Sequence, residues 1–217
     1  MAGEPDDWAI RLHETVLAKR IVSVRGPLDE MVAGQAALEL MSLDASGDEH
    51  VNLYVDSGGG TLDAAFTIID VVDLLGVPVH ATCLGRAEGP AAAVVAVCDR
   101  RMAAPHATFR LCEPATQAEG RASDVQRFAQ QQRRQLERFV LRLVDATGRP
   151  AEHVEADVSA GRFLTAHEAL EYGLVDDIWT PTRDKAREAD RGTLGFRPRS
   201  PRLSVYDEGE ETKHRKP

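Results

Sequence analysis

Long apolar runs are missing from these 217 residues. No stretch approaches the ~20 residues of a membrane span, so a soluble protein without a membrane partner is expected. Cysteine is scarce: Cys83, Cys98 and Cys112 are odd in number and none forms a C-x-x-C pair. A disulfide scaffold and a zinc site are therefore not expected, and a reducing compartment fits. The opening Met1-Ala2-Gly3-Glu4-Pro5-Asp6-Asp7 is acidic where a secretion signal is basic and then apolar, so a cytoplasmic location is expected. No G-x-x-x-x-G-K-[ST] loop is present, so the chain is not expected to bind ATP. A net charge of −9 argues against a nucleic-acid partner, and the arginines at 133–134 and 191–202 read as solvated surface.

What is present alternates between two periods. Arg20 to Val24, Val51 to Val55 and Val79 to Leu84 are short β-branched or apolar runs. Between them, Leu28 to Leu43 has Met31, Leu38 and Met41 at helical spacing with Gly34, which predicts a helix buried on that face. Leu62 to Leu75 carries a stripe through Ala65, Phe66, Ile69, Val72 and Leu75, stopped by Gly76 and Pro78. Pro90 to Cys98 is a small-residue apolar helix that belongs inside. Arg101 to Ala103 and Ala107 to Leu111 supply two more strands. Strands alternating with helices predict βαβ units and a mostly parallel sheet. Ser123 to Thr147 is a longer helix of about seven turns, ended by Gly148 and Pro150. Its apolar ends (Val125 and Phe128; Leu136, Phe139, Val140, Leu143 and Val144) flank a wholly polar middle, Gln130 to Gln135. From Pro181 the chain turns polar and charged and reads as a disordered tail.

Four blocks carry the functional information. Asp56-Ser57-Gly58-Gly59-Gly60 follows a strand and opens a helix. Gly85-Arg86-Ala87-Glu88-Gly89-Pro90-Ala91 precedes the small-residue helix. Pro105 to Pro114 ends a strand at Cys112, and Thr165 to Asp176 holds a helix stopped by Gly173. In order, spacing and wording these resemble the proteolytic subunit of the Clp protease, the ClpP family, from about Arg20 to Trp179. The resemblance implies a crotonase-like α/β fold of repeated ββα units over residues 20–180, with 1–19 as an N-terminal segment and 181–217 as the tail. It makes the helix from Ser123 the projecting handle that packs against an opposite ring. It also implies an ATP-dependent serine endopeptidase working in stacked seven-membered rings fed by an AAA+ unfoldase, with no cofactor.

Acyl transfer of that kind needs a nucleophile, a base, an orienting carboxylate and two N–H donors. Laid on this chain, the family's nucleophile slot falls at Gly89, which has no side chain, and the base slot falls at Cys112. A thiol cannot replace imidazole as a general base near neutral pH. Only the acid slot is retained, at Asp157. The first oxyanion donor slot is Gly59; the second is Pro90, which has no N–H. The expectation is a catalytically inactive ClpP-like subunit in homo- or hetero-oligomeric rings with an active ClpP paralogue.

The bland readings are weighed beside this one. Cys112 reads as a half-buried core residue rather than a nucleophile, His106 as structural, and Ser57 as a turn stabiliser. His80, His153 and His167 lack metal-ligand spacing. Glu88 is either an acid/base of a different reaction or a charge in a closed site. The alternative function is a crotonase-type acyl-coenzyme A enzyme or binder, into which Gly85 to Gly89 and Gly173-Leu174-Val175 also fit, although Pro90 counts against it. An active Clp-type endopeptidase requires an unrecognised nucleophile, since the first serine after Gly89 is Ser123.

Overall fold

A computed structural model of the chain describes residues 7–114, 116 and 118–179; the tail expected from 181 onward lies outside them. Among these residues the elements are α1 (Asp7–Leu17), β1 (Ile21–Arg25), α2 (Glu30–Ser46), β2 (Val51–Ser57), α3 (Leu62–Leu74), β3 (Val79–Glu88), α4 (Pro90–Ala96), β4 (Arg100–Ala103), β5 (Thr108–Leu111), α5 (Ala122–Thr147), α6 (Ala151–Ala160), β6 (Arg162–Thr165), α7 (Ala166–Tyr172) and β7 (Asp177–Ile178). The mixed α/β class expected from the alternation is present. β1, β2, β3, β4 and β7 lie side by side in parallel, β5 runs parallel to the far half of β3, and β6 closes on β5 antiparallel.

Burial follows the pleat. In β2, Val51, Leu53, Val55 and Ser57 are buried while Asn52, Tyr54 and Asp56 are half-buried, the period of 2 expected when one face meets the helices. Val22, Val24, Leu53, Ala81 and Cys83 form that face, under α2, α3 and α4. The helix α4 is buried along its whole length, Pro90 through Ala96, which is why it is built of alanine and valine. Burial drives the Cys83 and Cys98 thiols up to about 12, and they act as small apolar residues.

The face of α2 differs from the sequence expectation. Met31, Leu38 and Met41 point outward, 80%, 70% and 55% exposed, and the buried side is Ala33, Ala36, Ala37, Leu40 and Leu43. Packing favours the alanines because they let α2 approach α3 and the sheet closely, so size overrides hydrophobicity. The long helix α5 also differs. It starts at Ala122, and its first turn has no side-chain cap. Its polar middle is tied down: Gln135 is buried, its amide donates to Asp63 of α3, and its carbonyl accepts from Gln132.

Two devices fix the turns. Arg20 adopts a left-handed φ of 56°, and its guanidinium donates to the carbonyls of Leu43, Gly47 and Glu49 at 2.9, 3.1 and 2.6 Å. This closes the C-terminal end of α2, whose last turn has no basic residue of its own. Gly60 pairs as an isolated bridge with Leu28, so closely that a Cβ there would run into the Leu28 carbonyl oxygen. Gly60→Ala is therefore expected to cost about 3 kcal/mol, read as a fall in the midpoint of thermal or urea unfolding.

A pH response follows from His80, whose ring stacks on His50 with centroids 4.2 Å apart. Burial first, then His50 and Arg100, hold the His80 pKa below its ordinary value, with Asp99 opposing. The fold thus favours neutral His80, and the unfolded chain binds its proton more readily. That stabilisation is complete above the unfolded pKa of about 6.5 and is lost as pH falls below it. Urea unfolding at pH 7.5 and pH 5.5 should show the loss, and His80→Gln should shrink the difference.

Candidate functional site

The site begins with a pivot in β3. Residues 80–83 pair with β4, whereas residues 86–88 pair with β5. Between them the pairing with β2 slips, from Val55 opposite Cys83 to Ser57 opposite Ala87. Gly85 sits in the slip, and a Cβ there would come within 2.5 Å of Asp56 Oδ1. The same oxygen accepts the Arg86 N–H at 3.3 Å. A strand re-aimed by a bulge is a common way to present a functional group, and here it delivers Gly89.

Gly89 has φ 48° and ψ −118° and precedes Pro90 at the first position of α4. Its N–H donates to the Arg110 carbonyl at 2.7 Å. A Cβ on Gly89 would lie 3.0 Å from the Cys112 carbonyl oxygen and 3.2 Å from Cys112 Sγ. Positions 89 and 112, which the resemblance would make nucleophile and base, are therefore neighbours, and the groups present are a hydrogen and a thiol. Burial pushes the Cys112 thiol up, Arg110 draws it down, and Glu88 raises it further. The net direction favours the neutral thiol, which is a poor nucleophile.

Asp157 lies on α6. Its carboxylate accepts from Arg162 at 3.1 and 3.2 Å and from the Tyr172 hydroxyl at 2.9 Å. Arg162 stands opposite Leu111, one residue before Cys112, so the acid slot reaches the neighbourhood of the base slot through Arg162. Tyr172 is packed under two guanidinium groups, Arg149 at 4.1 Å and Arg162 at 5.6 Å from the ring centroid. Its hydroxyl is driven up to about 12 by burial and by the bond to Asp157, so it stays a donor. Sequence reading did not find this lock, because its partners lie on three elements.

The glycine turn holds the remaining slot. Gly59 has φ 87°, and its N–H donates to Ser57 Oγ at 3.2 Å, while that hydroxyl donates to the Gly26 carbonyl at 2.6 Å. Ser57 is fully buried and acts as the turn brace expected of it. Arg86 covers the turn: a Cβ on Gly58 would be 3.1 Å from the centre of its guanidinium. Glu88 lies 3.5 Å from Arg86 and 3.8 Å from Arg110, and Arg110 stacks over Phe163 at 4.8 Å. The leftover carboxylate is thus a charge set between two cations. Beyond Cys112, an open groove of about 570 Å³ runs between Leu62, the segment Glu113–Pro114 and the first half of α5, with Val125, Phe128 and Leu136 in its wall. No group of three or more metal-ligating side chains occurs among the described residues.

The scaffold around these residues is a mixed α/β fold of the ClpP type. The Clp protease family profile matches residues 5–182. The chain is also 33% identical over 173 residues to the ATP-dependent Clp protease proteolytic subunit 1 of Nocardia farcinica, covering 78% of this chain and 88% of that protein. The chain belongs to the Clp protease family. Among the described residues no helix is long and apolar enough to cross a membrane.

If Asp157 serves mainly as a structural acceptor, its effect is on folding. Asp157→Asn is expected to lower unfolding stability by about 1–2 kcal/mol through the weakened Tyr172 and Arg162 bonds, measured by urea titration, with Tyr172→Phe producing a similar loss.

Proposed function

We propose that this chain is a ClpP-family subunit without hydrolytic chemistry of its own, serving as a structural and regulatory member of an ATP-dependent Clp protease ring complex. The observation that carries this reading is Gly89 directly against Cys112. Where a peptide bond would be attacked there is no side chain, and the adjoining group is a thiol held neutral. Losing nucleophile and base removes the mechanism, whereas losing one oxyanion donor slows it by roughly 10²–10³. Both donor slots are also compromised, since Pro90 has no N–H and the Gly59 N–H is taken by Ser57.

Clp protease subunits generally form oligomeric rings with Clp partners. In this reading the chain supplies walls and axial surface to rings or ring pairs that include an active paralogue, and an AAA+ unfoldase feeds the chamber in the cytoplasm. The groove beside α5 remains open in the described structure, so a threaded polypeptide has a surface to pass along. The acyl-coenzyme A alternative is disfavoured by Glu88, whose carboxylate is committed to Arg86 and Arg110.

The purified chain is expected to take no label from a fluorophosphonate probe and to leave fluorogenic peptides intact. Isolation from its own cells should bring an active paralogue with it. Stoichiometric labelling, or peptide turnover that survives removal of every other subunit, overturns the reading.

A further inference from the structure

Residues 26–85 contain ten Asp and Glu and no Lys or Arg. The first cation after that stretch is Arg86, at the pivot of β3 that leads to Gly89. Parallel pairing sets Arg86 opposite Thr108 and Glu88 opposite Arg110. Alternate residues of a strand share a face, so Arg86, Glu88 and Arg110 stand on one side of the β3–β5 pair, while Ala87 and Phe109 are buried on the other. Arg110 and Glu88 both act on the Cys112 thiol, in opposite senses, which puts this charged cluster on the Cys112 side of the site.

The two guanidinium groups are held in place but not saturated. Arg86 lies over the glycine turn: a Cβ on Gly58 would be 3.1, 3.2 and 3.3 Å from its Cζ and its two terminal nitrogens. Its side chain is nevertheless 58% exposed. Arg110 rests over the ring of Phe163, and its Nε is buried with no hydrogen-bond acceptor among the described residues. Buried polar groups normally have a partner. Glu88 does not supply it. Its carboxylate stands 3.5 Å from Arg86 and 3.8 Å from Arg110, whereas a charge-assisted N–H···O bond measures about 2.7–2.9 Å. Glu88 thus spaces the two cations, and the cluster of two guanidinium groups and one carboxylate keeps one positive charge.

We propose that Arg86 and Arg110 form a carboxylate-binding site beside Gly89, which takes an acidic side chain or the free C-terminus of a polypeptide. The proposal names a ligand class for the surface along which the ring-subunit reading passes a polypeptide, and it rests on that reading. The planar fork of a guanidinium matches a carboxylate in shape. The single positive charge left by Glu88 matches it in magnitude, while a phosphate dianion would bring a second negative charge against Glu88. The rest of the ligand has a place to lie, because the groove beyond Cys112 offers Val125, Phe128 and Leu136 to apolar side chains.

The test is calorimetric titration of the full chain with three short apolar peptides. One carries an aspartate and an amidated C-terminus, one has no acidic side chain and a free C-terminus, and the neutral control has neither carboxylate. At least one of the acidic peptides should bind about tenfold more tightly than the control, more weakly as salt is raised, and which one binds identifies the source of the carboxylate. Arg86→Gln should remove that advantage, and Glu88→Gln should tighten binding because it deletes the competing carboxylate. Arg110→Met should also remove it while keeping the stem on Phe163; if circular dichroism shows that this variant is unfolded, the first two substitutions decide. Equal affinity for all three peptides overturns the proposal, as does an Arg86→Gln variant that binds like wild type or a Glu88→Gln variant that binds more weakly. Mass measurement of the recovered peptides reads the other question separately: cleavage overturns the non-hydrolytic reading, whereas the affinities alone judge the carboxylate site.

Discussion

The bend in β3 is the constraint on which the rest of the site depends. Asp56 fills the slip in the β2–β3 ladder, and glycine at position 85 is what leaves room for it. Without that slip, β3 would stay on β4 and end in the sheet. With it, the strand crosses to β5 and carries Gly89 to the side of Cys112. Three further choices follow from that arrival point: a left-handed φ at Gly89, proline to start α4, and small residues throughout α4, because the helix enters the core at once. Gly59, Gly60 and Leu28 make the opposite wall by backbone contact alone. That wall is built from main chain rather than side chains.

Around this frame, charges hold positions that chemistry would otherwise use. Asp157 is fixed by Arg162 and Tyr172, and Glu88 by Arg86 and Arg110. Arg86 also lies over the glycine turn. Exposed ion pairs of this kind contribute little to stability singly. Their importance here is occupancy: the carboxylates of Asp157 and Glu88 already have partners, and the thiol beside Gly89 is held neutral.

Much of the fold was legible in the sequence because strand and helix periods alternate cleanly through residues 20–111. The principal misreading, the buried face of α2, has a simple cause. Hydrophobicity ranks methionine and leucine above alanine, but close packing against α3 selects alanine, and the larger residues were left outside. Two short elements, α6 and β6, were not legible. β6 has four residues with Phe163 exposed, and α6 buries only Val154 and Val158, so neither repeats its period often enough to signal. At the site, Gly89, Pro90 and Cys112 could be singled out because the motifs that contain them depend on local order along the chain. The Tyr172–Asp157–Arg162 lock and the Gln135–Asp63 tie could not, since tertiary packing alone brings those residues together.

The contact between Gly89 and Cys112 also bears on how such a chain can change over time. A hydroxymethyl group introduced at 89 would meet the 112 carbonyl and sulfur at 3.0 and 3.2 Å before finding any base. An imidazole introduced at 112 would find no nucleophile, and proline at 90 would still offer no donor. On the proposed reading, no single step from this arrangement gains activity, and a side chain at 89 costs packing. If the chain is non-hydrolytic, as proposed, the loss behaves as a ratchet: selection for hydrolysis has no gradient to climb back along, and uses of the scaffold other than bond cleavage are the ones left open.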